Sequence, residues 1–219
     1  MKPRHPRFSP VVAVWLAAGV LCFVPHLFAS VVATASRPNF DSNRQLLSEL
    51  GERGSAGAEA FNFLGVLPTG GLLLIFGLGV MLAYRAEALL RIAGALIVAH
   101  GIARIVAAVF SCDASCRPVA PSVSQSVHNM AASGAFITLT IALFLVGAWL
   151  VKRRERILSI LATYTLGVCA VGAQALLLFG PSGFTGLHQR IALGALQLWV
   201  VLFAAHIYTH AREPHQNAV

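Results

Sequence analysis

The sequence predicts an all-α integral membrane protein, one domain of six transmembrane helices with both termini in the cytoplasm. Three observations predict it. The 219-residue chain is 57% hydrophobic and 11% charged, with a mean hydropathy of +0.75, so it lacks the polar surface a soluble globule of this length needs. Runs of about 20 apolar residues, each long enough to cross a bilayer core of about 30 Å, alternate with charged or Pro/Gly-bearing breaks. The lysines and arginines crowd onto alternate breaks rather than spreading evenly.

The spans are expected at residues 11–34, 61–84, 89–111, 128–151, 157–179 and 187–208. All should be helices, because an open strand in lipid leaves backbone groups unpaired. Lys2, Arg4 and Arg7 precede the first run, and Ala33-Thr34-Ala35 has the small-x-small form of a signal-peptidase site. The apolar run is as long as a full span, whereas a signal-peptide core has about 7–15 residues, so a retained signal anchor is expected.

Orientation follows from the basic residues. Lys2, Arg4 and Arg7, then Arg85 and Arg91, then Lys152, Arg153, Arg154 and Arg156 fall on one side if the spans alternate. On the other side Arg37, Arg44 and Arg53 are offset by Asp41, Glu49, Glu52 and Glu59, and Arg117 by Asp113. The positive-inside rule then places both termini in the cytoplasm. Topology accounts for the net charge of +8, so the basic balance does not indicate a nucleic-acid partner.

The longest outer connection contains DSNRQLLSELGE. An Asp or Ser N-cap, Leu46, Leu47 and Leu50 at helical spacing and Gly51 placed to end the segment predict a short amphipathic helix. Its polar face carries both charge signs, which favours capping the bundle over lying on the lipid surface.

Leu47-Ser48-Glu49-Leu50-Gly51, Phe61-Asn62-Phe63, Phe110 ahead of Cys112-Asp113, and His128-Asn129 together resemble the bacterial six-helix membrane family catalogued as domain of unknown function 998. That family is similar in layout to the Frag1/DRAM/Sfk1 proteins. The resemblance covers most of the chain and implies a six-helix membrane protein with no established activity.

Candidate site residues concentrate around HGIARIVAAVFSCDASCRPVAPSVSQSVHN, residues 100–129. Arg104 lies within an apolar helix, where a charge costs at least about 2.5 kcal/mol and must face the bundle with a partner. His100 stands one turn away on the same stripe. Two readings of Arg104 are open, a fold-locking ion pair with Asp113 and a ligand-binding role. Cys112 and Cys116, in an outer loop, are expected to form a structural disulfide; their spacing is not the Cys-x-x-Cys of thiol oxidoreductases. Cys22 and Cys169 lie within spans and read as small apolar residues.

With alternating topology, His26, Asn62, Arg104, Asp113, His128, Asn129, Gln174, His188 and Arg190 share one depth near the outer leaflet although they come from all six spans. Taken singly, helix-end histidines commonly serve as interfacial hydrogen-bonding groups. His206 and His210, an i, i+4 pair at the opposite end, lack the accompanying glutamate of an HExxH zinc helix and read as a solvated helix end.

Three functional classes follow. The favoured one is a non-enzymatic outer polar pocket for an anionic group such as a lipid head group, with Arg104, Arg190 and histidines donating and Asp113 and Asn129 orienting them. The second is an intramembrane metal-dependent hydrolase, with Asp113, His128 and His188 holding zinc in outline like ceramidase-type enzymes. The last-helix histidine pair sits at the wrong depth for that likeness. The third is an accessory subunit of a membrane complex or a homo-oligomer, with haem ligation through His100 a variant of it. No cofactor is predicted, and no nucleotide-binding loop or Ser-His-Asp signature is present.

Overall fold

In the computed structural model, residues 9–212 are described, with side chains through Thr209. The charges of Lys2, Arg4 and Arg7 and the side chain of His210 lie outside the described residues. Among the described residues, six helices are long and apolar enough to cross a membrane. They are α1 (Pro10–Ala35), α2 (Ala60–Ala83), α3 (Ala88–Val109), α4 (Val123–Lys152), α5 (Ile157–Phe179) and α6 (Thr185–Arg212). No strand occurs among the described residues.

Local chemistry explains the starts and the irregularities. Ser9 caps α1 by accepting from the Val12 N–H at 3.3 Å, with Pro10 at the first helical position. α1 is interrupted at Cys22. Pro25 follows three residues later and cannot donate to the Leu21 carbonyl. α2 opens as a π-helix over Ala60–Val66, just ahead of Pro68, which likewise leaves the Leu64 carbonyl without its usual donor. α4 begins at Val123, five residues before the hydropathy onset, because Ser122 accepts from the Gln125 N–H at 3.1 Å.

The short helix expected in the first outer connection is a single 3-10 turn, Leu47–Gly51. It is not an amphipathic helix on a lipid surface, since Leu47, Glu49, Leu50 and Gly51 are all buried. Asp41 instead caps the turn before it, accepting from the Asn43 N–H at 2.9 Å, and Leu46 precedes the 3-10 turn. Glu49 folds back to accept from the Leu46 N–H at 2.8 Å and from Gln45 at 3.0 Å. Using its polar groups internally, the segment buries its leucines in the bundle and caps it.

Close approach of α2 and α3 depends on glycine. Gly70 faces Gly101 and Gly77 faces Gly94, so that a Cβ on Gly101 would stand 2.6 Å from the Gly70 carbonyl oxygen and one on Gly77 2.6 Å from that of Gly94. Small residues let helix backbones meet in lipid, where dispersion rather than the hydrophobic effect holds helices together. The main core, around Phe76, Trp199 and Phe203, fills the middle of the bundle. Trp199 stacks on Phe203 with ring centroids 5.6 Å apart, and Phe76 meets Phe203 edge-on at 6.0 Å. A second cluster of Leu47, Leu50, Phe61, Val66 and Leu193 lies under the first connection, and Phe136 packs against both.

The two ends of the bundle are held differently. At the end bearing the first, third and fifth connections, the loops bond to one another. The Arg53 N–H donates to the Cys112 carbonyl at 2.9 Å, the Leu187 N–H to Asn43 at 2.9 Å and the Thr185 hydroxyl to Arg44 at 2.7 Å. At the other end, Arg153 pairs with Glu87, and His206 meets the Ser159 hydroxyl at 3.3 Å and the Glu155 carboxylate at 3.7 Å. His206 of α6 therefore packs against the start of α5 rather than forming a solvated helix end.

Candidate functional site

A cavity of about 80 Å³ opens where the two apolar clusters meet. Its polar wall comes from His26 on α1, Asn62 on α2, His100 and Arg104 on α3, His128 on α4 and Gln189 on α6. Leu47 and Ser48 of the 3-10 turn complete it. Five spans and the first connection thus contribute.

Each side chain reaches this wall for a local reason. His100 and Arg104 are one turn apart on the buried face of α3, brought inward by the Gly70–Gly101 contact. His26 lies just past the break in α1, 97% buried, with its ring 5.5 Å from that of Phe61. The wide turn at the start of α2 buries both Phe61 and Asn62. Asn62 itself is spent on structure, donating to the Gly51 carbonyl at 2.9 Å and the Ser111 hydroxyl at 3.1 Å. Gln189 is likewise engaged, its Oε1 accepting from the Leu47 N–H at 2.6 Å.

Arg104 is the electrostatic centre. It is 92% buried, and its Nη2 donates to His26 Nδ1 at 2.9 Å. Among the described residues no carboxylate pairs with it, and its Nε–H has no partner. The Arg104–Asp113 ion pair, one of the two readings of Arg104, does not form. Asp113 lies beyond the end of α3, and its carboxylate accepts from the Ser122 N–H at 2.9 Å and the Ser122 hydroxyl at 2.8 Å. Those two donors, with Arg53 nearby, hold the Asp113 carboxyl below the usual carboxylate range.

Four of the sequence candidates therefore stand outside the cavity, three of them, Asp113, Asn129 and Arg190, in networks that anchor loops. Asp113 organises the start of α4, its N–H donating to Gln125 Oε1 at 2.7 Å. Asn129 accepts from Gln125 Nε2 at 2.8 Å. Arg190 donates to the carbonyls of Ser42 at 2.7 Å, Gln45 at 2.8 Å and Gly186 at 3.0 Å, with its guanidinium 5.5 Å from the Phe40 ring centroid. His188 packs beside Phe184. Gln174, read as part of the same layer, bonds to Thr140 at 3.1 Å instead.

The zinc arrangement of Asp113, His128 and His188 is not assembled. Among the described residues, no group of three His, Cys, Asp or Glu side chains is placed to hold a metal ion. Asp113 is committed to Ser122, and His128 Nδ1 to the carbonyls of Phe110 and Ala107. The expected disulfide is present, with the Cα atoms of Cys112 and Cys116 5.0 Å apart. It closes a turn in which Ser115 and Cys116 adopt left-handed backbone, and the Ser115 N–H donates to Glu52, which also pairs with Arg37 at 2.8 Å.

Sequence reading missed Gln125, Gln189 and Ser48. Ser122-x-x-Gln125 is a capping-box pattern and signals the start of α4. Nothing local marks Gln189 or Ser48, whose role depends on the first connection docking onto α6.

A family model described as a protein of unknown function (DUF998) matches residues 16–206. No curated protein and no solved structure matches the chain.

Proposed function

The chain belongs to the DUF998 family, and from that premise we propose that this multi-pass membrane protein binds a small anionic group, such as a lipid head group, in the Arg104 cavity. The observation that carries the reading is a buried guanidinium with no carboxylate partner among the described residues and an unused Nε–H at a cavity wall. A charge within a membrane bundle is costly, and natural examples pair with an opposite charge or mark a ligand path. Arg104 has a neutral imidazole instead. A bound anion would supply the missing charge through charge-assisted hydrogen bonds.

The cavity lies at the end opposite Arg85, Arg91 and the run from Lys152 to Arg156. By the positive-inside rule this end is the outer one, with both termini cytoplasmic in a bacterial inner membrane. Membrane lipids are then the natural source of the ligand, and the binding role calls for no cofactor. The cavity has about half the roughly 150 Å³ of an apolar cavity able to hold benzene, so it suits a head-group fragment rather than an acyl chain.

The test is lipid retention. Native mass spectrometry of the full-length protein should show an anionic lipid carried by the wild type and lost from Arg104→Ala. Arg190→Ala, which touches loop carbonyls outside the cavity, should retain it. Equal lipid content in wild type and Arg104→Ala would remove the basis of the reading.

A further inference from the structure

The hydrogen bonds at the cavity wall set the proton positions of its three histidines, and those positions specify more than an anion. Arginine only donates, so the 2.9 Å bond from Arg104 Nη2 makes His26 Nδ1 an acceptor and puts the proton of that neutral ring on Nε2. The resulting His26 Nε2–H is buried without a partner, as is Arg104 Nε–H. Two donors are therefore unspent.

His100 and His128 have the opposite polarity. A carbonyl only accepts, so His100 Nδ1–H donates to Ala135 at 2.8 Å, and His128 Nδ1–H donates to Phe110 at 2.9 Å and Ala107 at 3.1 Å. In each neutral ring Nε2 is then a bare lone pair. His100 Nε2 is buried with no partner. A second proton on His100 would place another positive charge one turn from Arg104, with no carboxylate among the described residues paired to it.

Resting on the anion-binding reading above, we infer that the ligand is an oxyanion that still carries a hydroxyl hydrogen, namely a hydrogen-phosphate or phosphomonoester monoanion. Its charged oxygens accept from Arg104 and His26, and its P–OH donates to the unpartnered lone pair of His100 Nε2. Sulfate and phosphodiesters have no such hydrogen on the acid group. They would set an anionic oxygen against a bare nitrogen, repelling it and leaving a buried acceptor unsatisfied. The shared chemistry covers a phosphomonoester lipid and free phosphate.

The experiment uses the full-length protein in phosphatidylcholine nanodiscs at about pH 6, where a phosphomonoester is about half monoprotonated. Calorimetry compares inorganic phosphate and methyl phosphate with sulfate and dimethyl phosphate. The first pair should bind at least about 10-fold more tightly. His100→Ala should abolish that preference while sulfate binding persists. Phosphatidic acid included in the disc should displace methyl phosphate if the source is lipid, and should fail to compete if it is free phosphate.

Equal binding of all four anions, lost together in Arg104→Ala, would overturn the inference and leave the anion-binding reading standing. No binding of any anion, or binding indifferent to Arg104→Ala, would overturn both. The wild-type ligand comparison stands even if a variant fails to fold.

Discussion

Replacing His26 with leucine isolates what Arg104 is for. In the wild type, the His26–Arg104 bond of 2.9 Å is the guanidinium's one hydrogen bond among the described residues, and Arg104 is 92% buried. His26→Leu leaves a buried charge without any partner. Losing the neutral acceptor of a buried charged donor costs about 1.5–3 kcal/mol. At roughly 2–4 °C per kcal/mol for a chain of this size, the thermal midpoint should fall by about 3–12 °C. The double variant His26→Leu/Arg104→Met removes both polar partners, the orphaned Nε–H and the charge itself. Exchanging both members of a buried polar pair for apolar groups is about neutral or stabilising by about 1–4 kcal/mol. The double variant should therefore melt at or above the wild-type temperature while binding no anion. The assay is thermal unfolding in detergent, followed by tryptophan fluorescence and repeated without added lipid. If the double variant melts as low as His26→Leu, the pair is a structural lock and the argument that Arg104 is held for a ligand fails.

Three further outcomes follow from the packing and the loops. Gly101→Val puts a Cβ 2.6 Å from the Gly70 carbonyl oxygen and should lower stability by about 1–3 kcal/mol or more. Gly134→Ala, with nothing within 4 Å, should be neutral in the same melt. Asp113 has its carboxyl depressed by Ser122, so its contribution is complete above the unfolded value of about 3.9 and is lost as pH falls through the lower folded value. The stability difference between wild type and Asp113→Asn should accordingly be flat from about pH 5 to 8 and shrink below about pH 4; a difference that grows on acidification would contradict the Ser122 bonds. Cys112→Ser opens a loop of only four residues' separation and should cost about 2 kcal/mol by loop entropy. That loss should be matched in the wild type by a reductant.

The spans were legible because each is a self-contained problem. A helix in lipid satisfies its own backbone, so apolar length alone locates it, and α5 begins and ends at the residues the hydropathy pattern marks. Errors came where polar residues extend a helix past its apolar run, as Ser122 and Gln125 do for α4. The 47–51 turn was legible as a bundle cap but not as a 3-10 turn. Its leucines show burial, whereas its shape depends on Arg37 and Arg190 taking the carbonyls of Glu49, Ser42 and Gln45.

The candidate layer divides in the same way. Of the nine proposed ligand residues, His26, Asn62, His100, Arg104 and His128 line the cavity, while Asp113, Asn129, His188 and Arg190 do not. Depth along the membrane normal can be counted in residues, because each helical residue rises about 1.5 Å. The sequence by itself thus determined the all-α class, the six apolar helices of membrane-crossing length and the disulfide pair, and it nominated the polar residues. Only the tertiary structure decided which of them face one another. That azimuth is set by contacts between distant segments: the Gly70–Gly101 and Gly77–Gly94 approaches, the break at Cys22 and the wide turn at Ala60–Val66. They turn His26 toward Arg104, while the bonds to Ser122 hold Asp113 in the loop.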